Sequence, residues 1–114
     1  MIKLILSDFS KEPFGRYESD GPYSGEVYRK KILLPAIKKS IDINQKVTVI
    51  IDSNNLNIDL GSSFLEEAFG GLIRIDQYKK SILEDILTFE SDDDYDLNRA
   101  LKYINDETNR NIKI

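Results

Sequence analysis

The segment that most constrains this chain runs from Lys46 to Arg74, KVTVIIDSNNLNIDLGSSFLEEAFGGLIR. Val47, Val49, Ile50 and Ile51 form an apolar run that reads as a buried strand ending at Asp52. A loop rich in Asn and Asp follows, then Ser62-Ser63, then an amphipathic helical pattern over Ser63 to Arg74. Two hydroxyls are thereby expected at a helix N-terminus, where N–H groups point outward and the helix dipole favours negative charge. Such a place suits a phosphorylatable serine, and it equally suits a helix cap.

Ser63-Phe64-Leu65-Glu66 matches the S-x-x-E capping box, which gives Ser63 a structural task and leaves Ser62 without one. At 100° per residue Phe64, Leu65, Ala68, Phe69, Leu72 and Ile73 share one face, which is expected to be core. The opposite side holds Glu66, Glu67, Gly70 and Gly71, and is read as the outward side of the helix. Paired glycines inside a helix cost about 1 kcal/mol each relative to Ala. They are expected where another backbone or a partner comes close, or where the helix frays or bends at Gly70.

The chain of 114 residues suits one domain, 1–114, and shows no repeat, linker or low-complexity tract. It has no Cys and no His, so disulfides, thiolate chemistry and the commonest general base and metal ligand are missing. A non-enzyme without cofactor or metal is the expectation. No apolar run approaches the ~20 residues of a membrane span, and the opening MIKLILSDF is too short for a secretory signal. A cytoplasmic location is the default expectation.

The net charge is −4 and is unevenly spread. Residues 1–57 hold nine Lys/Arg against seven Asp/Glu, and residues 58–114 hold seven against thirteen. That balance argues against direct nucleic-acid binding, which needs a basic footprint. Glu84, Asp85, Glu90, Asp92, Asp93, Asp94 and Asp96 lie in a stretch with no Lys or Arg. They read as a solvated edge with a helix start, or as an acidic surface for a basic partner.

Strands are expected at Ile2 to Ser7, Lys46 to Asp52 and Asp85 to Glu90. Helices are expected from Ser24 toward Ser40, over Ser63 to Arg74, as a short turn at Gln77 to Glu84, and after a cap at Asp93 or Asp94. Pro35 predicts a kink or a break near Leu34 in the first of these. Leu97, Ala100, Leu101 and Ile104 predict the buried face of the last. Alternation of strands and helices predicts an α/β fold, a small mixed sheet with helices packed on it.

GRYESDGPYSGEVYR, from Gly15 to Arg29, is the second unusual segment. Its glycines and proline shape a loop that opens onto a helix near Ser24, so Arg16, Ser24, Gly25 and Arg29 form a candidate anion site. It matches neither a P-loop nor a dinucleotide fingerprint. Asp20 and Glu26 can instead pair with Arg16 and Arg29. Asp52 with Asp59 is a further carboxylate pair, read as turn-forming rather than catalytic.

Two blocks carry a family likeness. They are Gly15 to Gly25 leading into Tyr28-Arg29, and Gly61-Ser62-Ser63-Phe64-Leu65-Glu66-Glu67-Ala68-Phe69-Gly70-Gly71-Leu72. On them the chain resembles the STAS-like proteins of bacteria and their phages, and more distantly the STAS domains of anti-sigma-factor antagonists. In the antagonists a serine of an Asp-Ser-Ser/Thr-Gly turn is phosphorylated by an ATP-binding partner kinase, and phosphorylation blocks docking of that partner. By position the resemblance implies that Ser62 is the switch serine and Ser63 its neighbour. Gly61 stands where the motif has Asp, and Phe64 where it has Gly.

Three readings result. The first is a STAS-like, non-enzymatic interaction module that regulates an ATP-binding, kinase-like or anti-sigma-like protein through Ser62, Ser63, Glu66, Glu67, Gly70 and Gly71. The second is an acidic inhibitor or nucleic-acid mimic acting through Glu84 to Asp96. The third is a nucleotide or anion sensor on the Gly15–Gly25 loop.

Overall fold

The computed structural model describes residues 1–112. Three strands, β1 Ile2–Ile5, β2 Val47–Ile51 and β3 Leu87–Ser91, form a sheet in the order β1-β2-β3. Both pairings are parallel, with Ile2 opposite Val47 and Val47 opposite Leu87. The α/β layering follows the expectation from sequence, but the sheet is parallel throughout rather than mixed. Parallel neighbours need crossover connections, and the helical segments between the strands supply them.

Five helices accompany the strands among the described residues. Leu6–Phe9 (α1) is a single turn directly after β1, and its first two residues, Leu6 and Ser7, are those expected to extend that strand. Helix α2 spans residues 25–43, as Gly25–Tyr28, a π-helical turn Arg29–Leu33, and Leu34–Ile43. Helix α3 spans residues 62–74, as Ser62–Leu65, a π-helical turn Glu66–Gly70, and Gly71–Arg74. Lys80–Ile86 (α4) and Asp94–Ile112 (α5) complete the set.

Helix α2 does not break at Leu34. The Leu34 N–H donates to the Arg29 carbonyl, five residues back, so the helix widens by one residue just ahead of Pro35 and then continues. It ends where Asn44 takes the left-handed conformation, φ 54°. At its start the Ser24 hydroxyl accepts from the Val27 N–H, as a capping serine should.

The core lies on one face of the sheet. Val47, Val49 and Ile51 are fully buried, flanked in register by Ile2 and Leu4 on β1 and Leu87 and Phe89 on β3. The alternate residues Lys3, Ile5, Thr88 and Glu90 are exposed, so the period-2 pattern is complete on both edge strands. Against the buried face pack Tyr28, Leu33 and Ile37 of α2 and Phe64, Leu65, Ala68, Phe69, Leu72 and Ile73 of α3. The α3 residues are the apolar face read from the helical wheel.

Helix α5 departs from its expected face. Ala100 and Ile104 are buried, but Leu101 is exposed, and Asp96 and Glu107 turn inward with them. Its start is as expected: Asp93 Oδ1 accepts from the Asp96 N–H at 3.0 Å. Among the described residues no helix is long and apolar enough to cross a membrane.

Candidate functional site

The two sequence blocks meet. Gly25, at the first turn of α2, lies so close to α3 that a Cβ there would stand 2.4 Å from the Phe64 carbonyl oxygen. One turn further on, Arg29 crosses to α3. Its guanidinium is completely buried, and Nη1 donates to both Glu67 Oε2 at 2.6 Å and the Glu67 carbonyl at 2.7 Å. Glu67 is 1 % exposed and also accepts at Oε1 from Arg74 Nη2 at 3.0 Å. Arg74 Nη1 in turn donates to Glu107 Oε2 of α5 at 3.0 Å. Arg29 Nε lies 2.9 Å from Asp76 Oδ2, a charge contact too poorly aligned for a good hydrogen bond. Burial holds the Asp76 carboxyl above its ordinary range despite Arg29 alongside.

Both π-helical turns carry this pair: Arg29 opens the one in α2 and Glu67 sits in the one in α3. The widened turn in α3 ends at the paired glycines, where the Gly71 N–H donates to the Glu66 carbonyl. A Cβ on Gly71 would lie 2.3 Å from Arg29 Nη1. The close approach expected at the glycines is therefore made from within the chain, by an arginine side chain. On Gly70 the neighbours are the Tyr103 carbonyl and Glu107, both at 3.5 Å from an added Cβ.

These contacts correct several expectations. Glu67, Gly70 and Gly71 do not face outward: all three are buried, because α2 and α5 close over that side of α3. The helix neither frays nor stops at Gly70. The Ser63–Glu66 capping box is not formed. Helix α3 begins one residue earlier, Gly61 occupies the N-cap position, and no side chain caps it. Glu66 instead accepts from Arg16 Nη1 at 2.6 Å. Ser62 and Ser63 are thus both exposed and neither has a capping task.

The candidate anion site is closed at three of its four residues. Ser24 is buried and occupied as a cap, Gly25 is buried beneath Phe64, and Arg29 is committed to Glu67 and Asp76. Glu26 pairs with Lys30 rather than with either arginine. Asp20 Oδ2 accepts the backbone N–H groups of Arg16 and Tyr17, which fixes the loop. Arg16 alone faces a cleft, of about 370 Å3, lined by Phe14, Gly15, Arg16 and Asp20 on one side and Gly61, Ser62, Ser63 and Phe64 on the other. The serine pair and the glycine-rich loop, far apart in sequence, thus share one recess.

Asp52 has a structural role at the end of β2. Its Oδ1 accepts from the Ser7 N–H and its Oδ2 from Asn55 Nδ2, both at 3.0 Å, and from the Ser7 hydroxyl. Burial opposes its ionisation, but these donors together outweigh it and hold the carboxyl below its ordinary range. Asp59 is exposed, and the hydrogen bonds to the Asp52 carboxylate come from Ser7 and Asn55. A carboxylate held down in the folded state stabilises above its unfolded pKa and loses that contribution as pH falls through the folded value. Ser7→Ala should therefore cost about 1.5–3 kcal/mol at pH 7. Urea unfolding across pH checks this: the gap to wild type should shrink on acidification, and a pH-independent gap would contradict the assignment.

The acidic stretch is not one surface. Asp96 is buried, accepting from Ser53 Oγ and Arg99 Nη2, both at 2.6 Å. Asp93 is a helix cap, Asp92 accepts from the Asn54 N–H, and Asp85 stands beside Lys46.

Arg74, Asp76 and Glu107 were not among the residues singled out from sequence. The paired glycines were the signal, since a helix that gives up two side chains makes room for one from elsewhere. No family model matches the chain, and no curated protein or solved structure matches it either.

Proposed function

We propose that this protein is a STAS-like, non-enzymatic interaction module that regulates an ATP-binding, kinase-like or anti-sigma-like partner. Docking would use the Ser62-Ser63 turn and the glycine-rich loop facing it across the Arg16 cleft, with Ser62 as the switch. The observation that carries this reading is that both serines are exposed at the N-terminus of α3, free of any capping role, beside an arginine. The two carboxylates on the first turns of α3 that would repel a phosphate there are already neutralised, and Asp20 across the cleft is held at Oδ2 by backbone N–H groups. Glu66 is paired with Arg16, and Glu67 with Arg29 and Arg74. The dipole and outward N–H groups of α3 are then left to favour negative charge on Ser62.

The acidic-mimic reading is weaker, because Asp93 and Asp96 serve the fold. The sensor reading keeps only Arg16 in an open recess.

Affinity capture from source-cell lysate tests the proposal, using wild type, Ser62→Ala and Ser62→Asp as baits. Wild type and Ser62→Ala should retain an ATP-binding protein that Ser62→Asp loses by about tenfold or more, the loss that repulsion of a misplaced interface charge produces. Equal capture by all three would remove Ser62 from the mechanism.

A further inference from the structure

A second cleft, of about 480 Å3, shares Phe14 and Asp20 with the first but none of residues 61–64. Three aromatic rings shape it. Phe9 and Tyr23 meet edge to face with centroids 5.7 Å apart and planes at 87°. Phe9 is anchored from behind by Tyr28 at 5.1 Å, so Phe9 and Tyr23 make a rigid bend, or corner, in the cleft wall. Phe14, on the same cleft, is 69 % exposed, and Tyr23 is 47 % exposed. The strands of the loop are tied so that the corner is preformed. The Phe14 N–H donates to the Tyr23 carbonyl at 3.0 Å and the Gly25 N–H to the Gly15 carbonyl at 2.9 Å. Gly15, at φ 93°, lies so close to Asp20 that an added Cβ would be 2.6 Å from the Asp20 Cβ.

The electrostatics of this corner favour a cation. Aromatic faces carry negative potential, and the exposed carboxylates of Glu12 and Asp20 line the same cleft against one ammonium, Lys11. Among the described residues the cation–π contacts are Arg16 over Tyr17 and Arg99 over Tyr95, and neither places a cation over Phe9, Phe14 or Tyr23. Asp20 Oδ2 is taken by backbone N–H groups, while its Oδ1 accepts no hydrogen bond. A guanidinium suits this arrangement better than an ammonium does. It is weakly hydrated, stacks flat on a ring, and presents a fork of donors to a carboxylate.

We propose that the corner of Phe9, Phe14 and Tyr23, with Glu12 and Asp20 at its rim, binds the guanidinium of an arginine on a partner protein. The corner adjoins the Ser62 cleft through Phe14 and Asp20 but uses none of residues 61–64, so the proposal does not rest on the switch. An open, preorganised loop that displays aromatic rings is the kind of surface on which an arginine anchors an interface.

The test is an NMR titration of the 15N-labelled protein with acetyl-Gly-Arg-Gly-amide, its citrulline analogue and tetramethylammonium. The arginine peptide should give saturable shifts centred on Phe14, Gly21 and Tyr23, and the neutral citrulline peptide should bind at least about tenfold more weakly. Phe14→Ala, a change on an exposed ring that leaves the core alone, should weaken the arginine peptide by about tenfold, and Tyr23→Ala likewise. Equal affinity for citrulline, shifts centred elsewhere, or no loss in both variants would overturn the proposal. Tighter binding of tetramethylammonium than of the arginine peptide would overturn the protein source and indicate a small onium ligand. The titration involves no Ser62 partner, so its failure leaves the switch reading standing.

Discussion

Glu67→Ala should destabilise the protein by about 3–5 kcal/mol, the cost of leaving a buried charge without its partner. The residue accepts from two arginines, and Arg29 has no exposed surface through which water could replace the lost carboxylate. Against a total stability of about 5–15 kcal/mol for a domain, that loss approaches unfolding. The physical claim is specific to the pair, so a double variant discriminates. Replacing both charges, as Arg29→Met with Glu67→Leu, removes the desolvation penalty with the attraction and should cost less than Glu67→Ala alone. Arg74 keeps Glu107 in that variant, and Asp76, left without Arg29, has a carboxyl that burial already favours in its neutral form. Denaturant unfolding of wild type, Arg29→Met, Glu67→Leu and the double variant closes the cycle. A double variant as damaged as the sum of the singles would show that the two side chains act independently, contrary to the contacts.

Gly25→Ala should be nearly as damaging, by about 2–3 kcal/mol or more, although it adds a single methyl group. The Cβ would meet the Phe64 carbonyl oxygen at 2.4 Å, with Glu67 Cβ at 3.1 Å and the Ala68 nitrogen at 3.2 Å. Two of these are backbone atoms, which no rotamer change can move aside. Helices α2 and α3 must separate, and the Arg29–Glu67 contact one turn away lengthens with them. Thermal unfolding should fall by roughly 10 °C, at about 4 °C per kcal/mol for a domain of this size. Gly61→Ala is the control, since a Cβ there meets nothing within 4 Å. Equal effects at the two positions would contradict the close helix packing.

The strand-loop-helix unit was legible because its pattern is dense. Val47, Val49 and Ile51 can only be interior, and six apolar residues of α3 repeat at helical spacing. The parallel pairing was not legible, since it depends on which strand edges meet after two crossovers. The wheel failed for Glu67 because it counts charge as exposure, whereas a carboxylate shared by two arginines is at home inside. The capping box failed for the same reason in reverse. Glu66 had a better partner in Arg16, fifty residues away in sequence, than the backbone of its own helix. Pro35 and Gly70-Gly71 announced irregular helix, yet sequence does not distinguish a break from a π-helical turn, which keeps the helix running. The shared recess of Arg16 and Ser62 was visible only as two separate candidates.

The central claim is that a regulated partner docks on the Ser62 turn and the loop opposite it. Hydrogen exchange of the free protein against its captured complex tests that claim most directly. Exchange should slow chiefly in residues 14–23 and 61–65, with residues 84–96 unchanged. Protection confined to residues 84–96 would contradict it and move the interface to the acidic edge of the sheet.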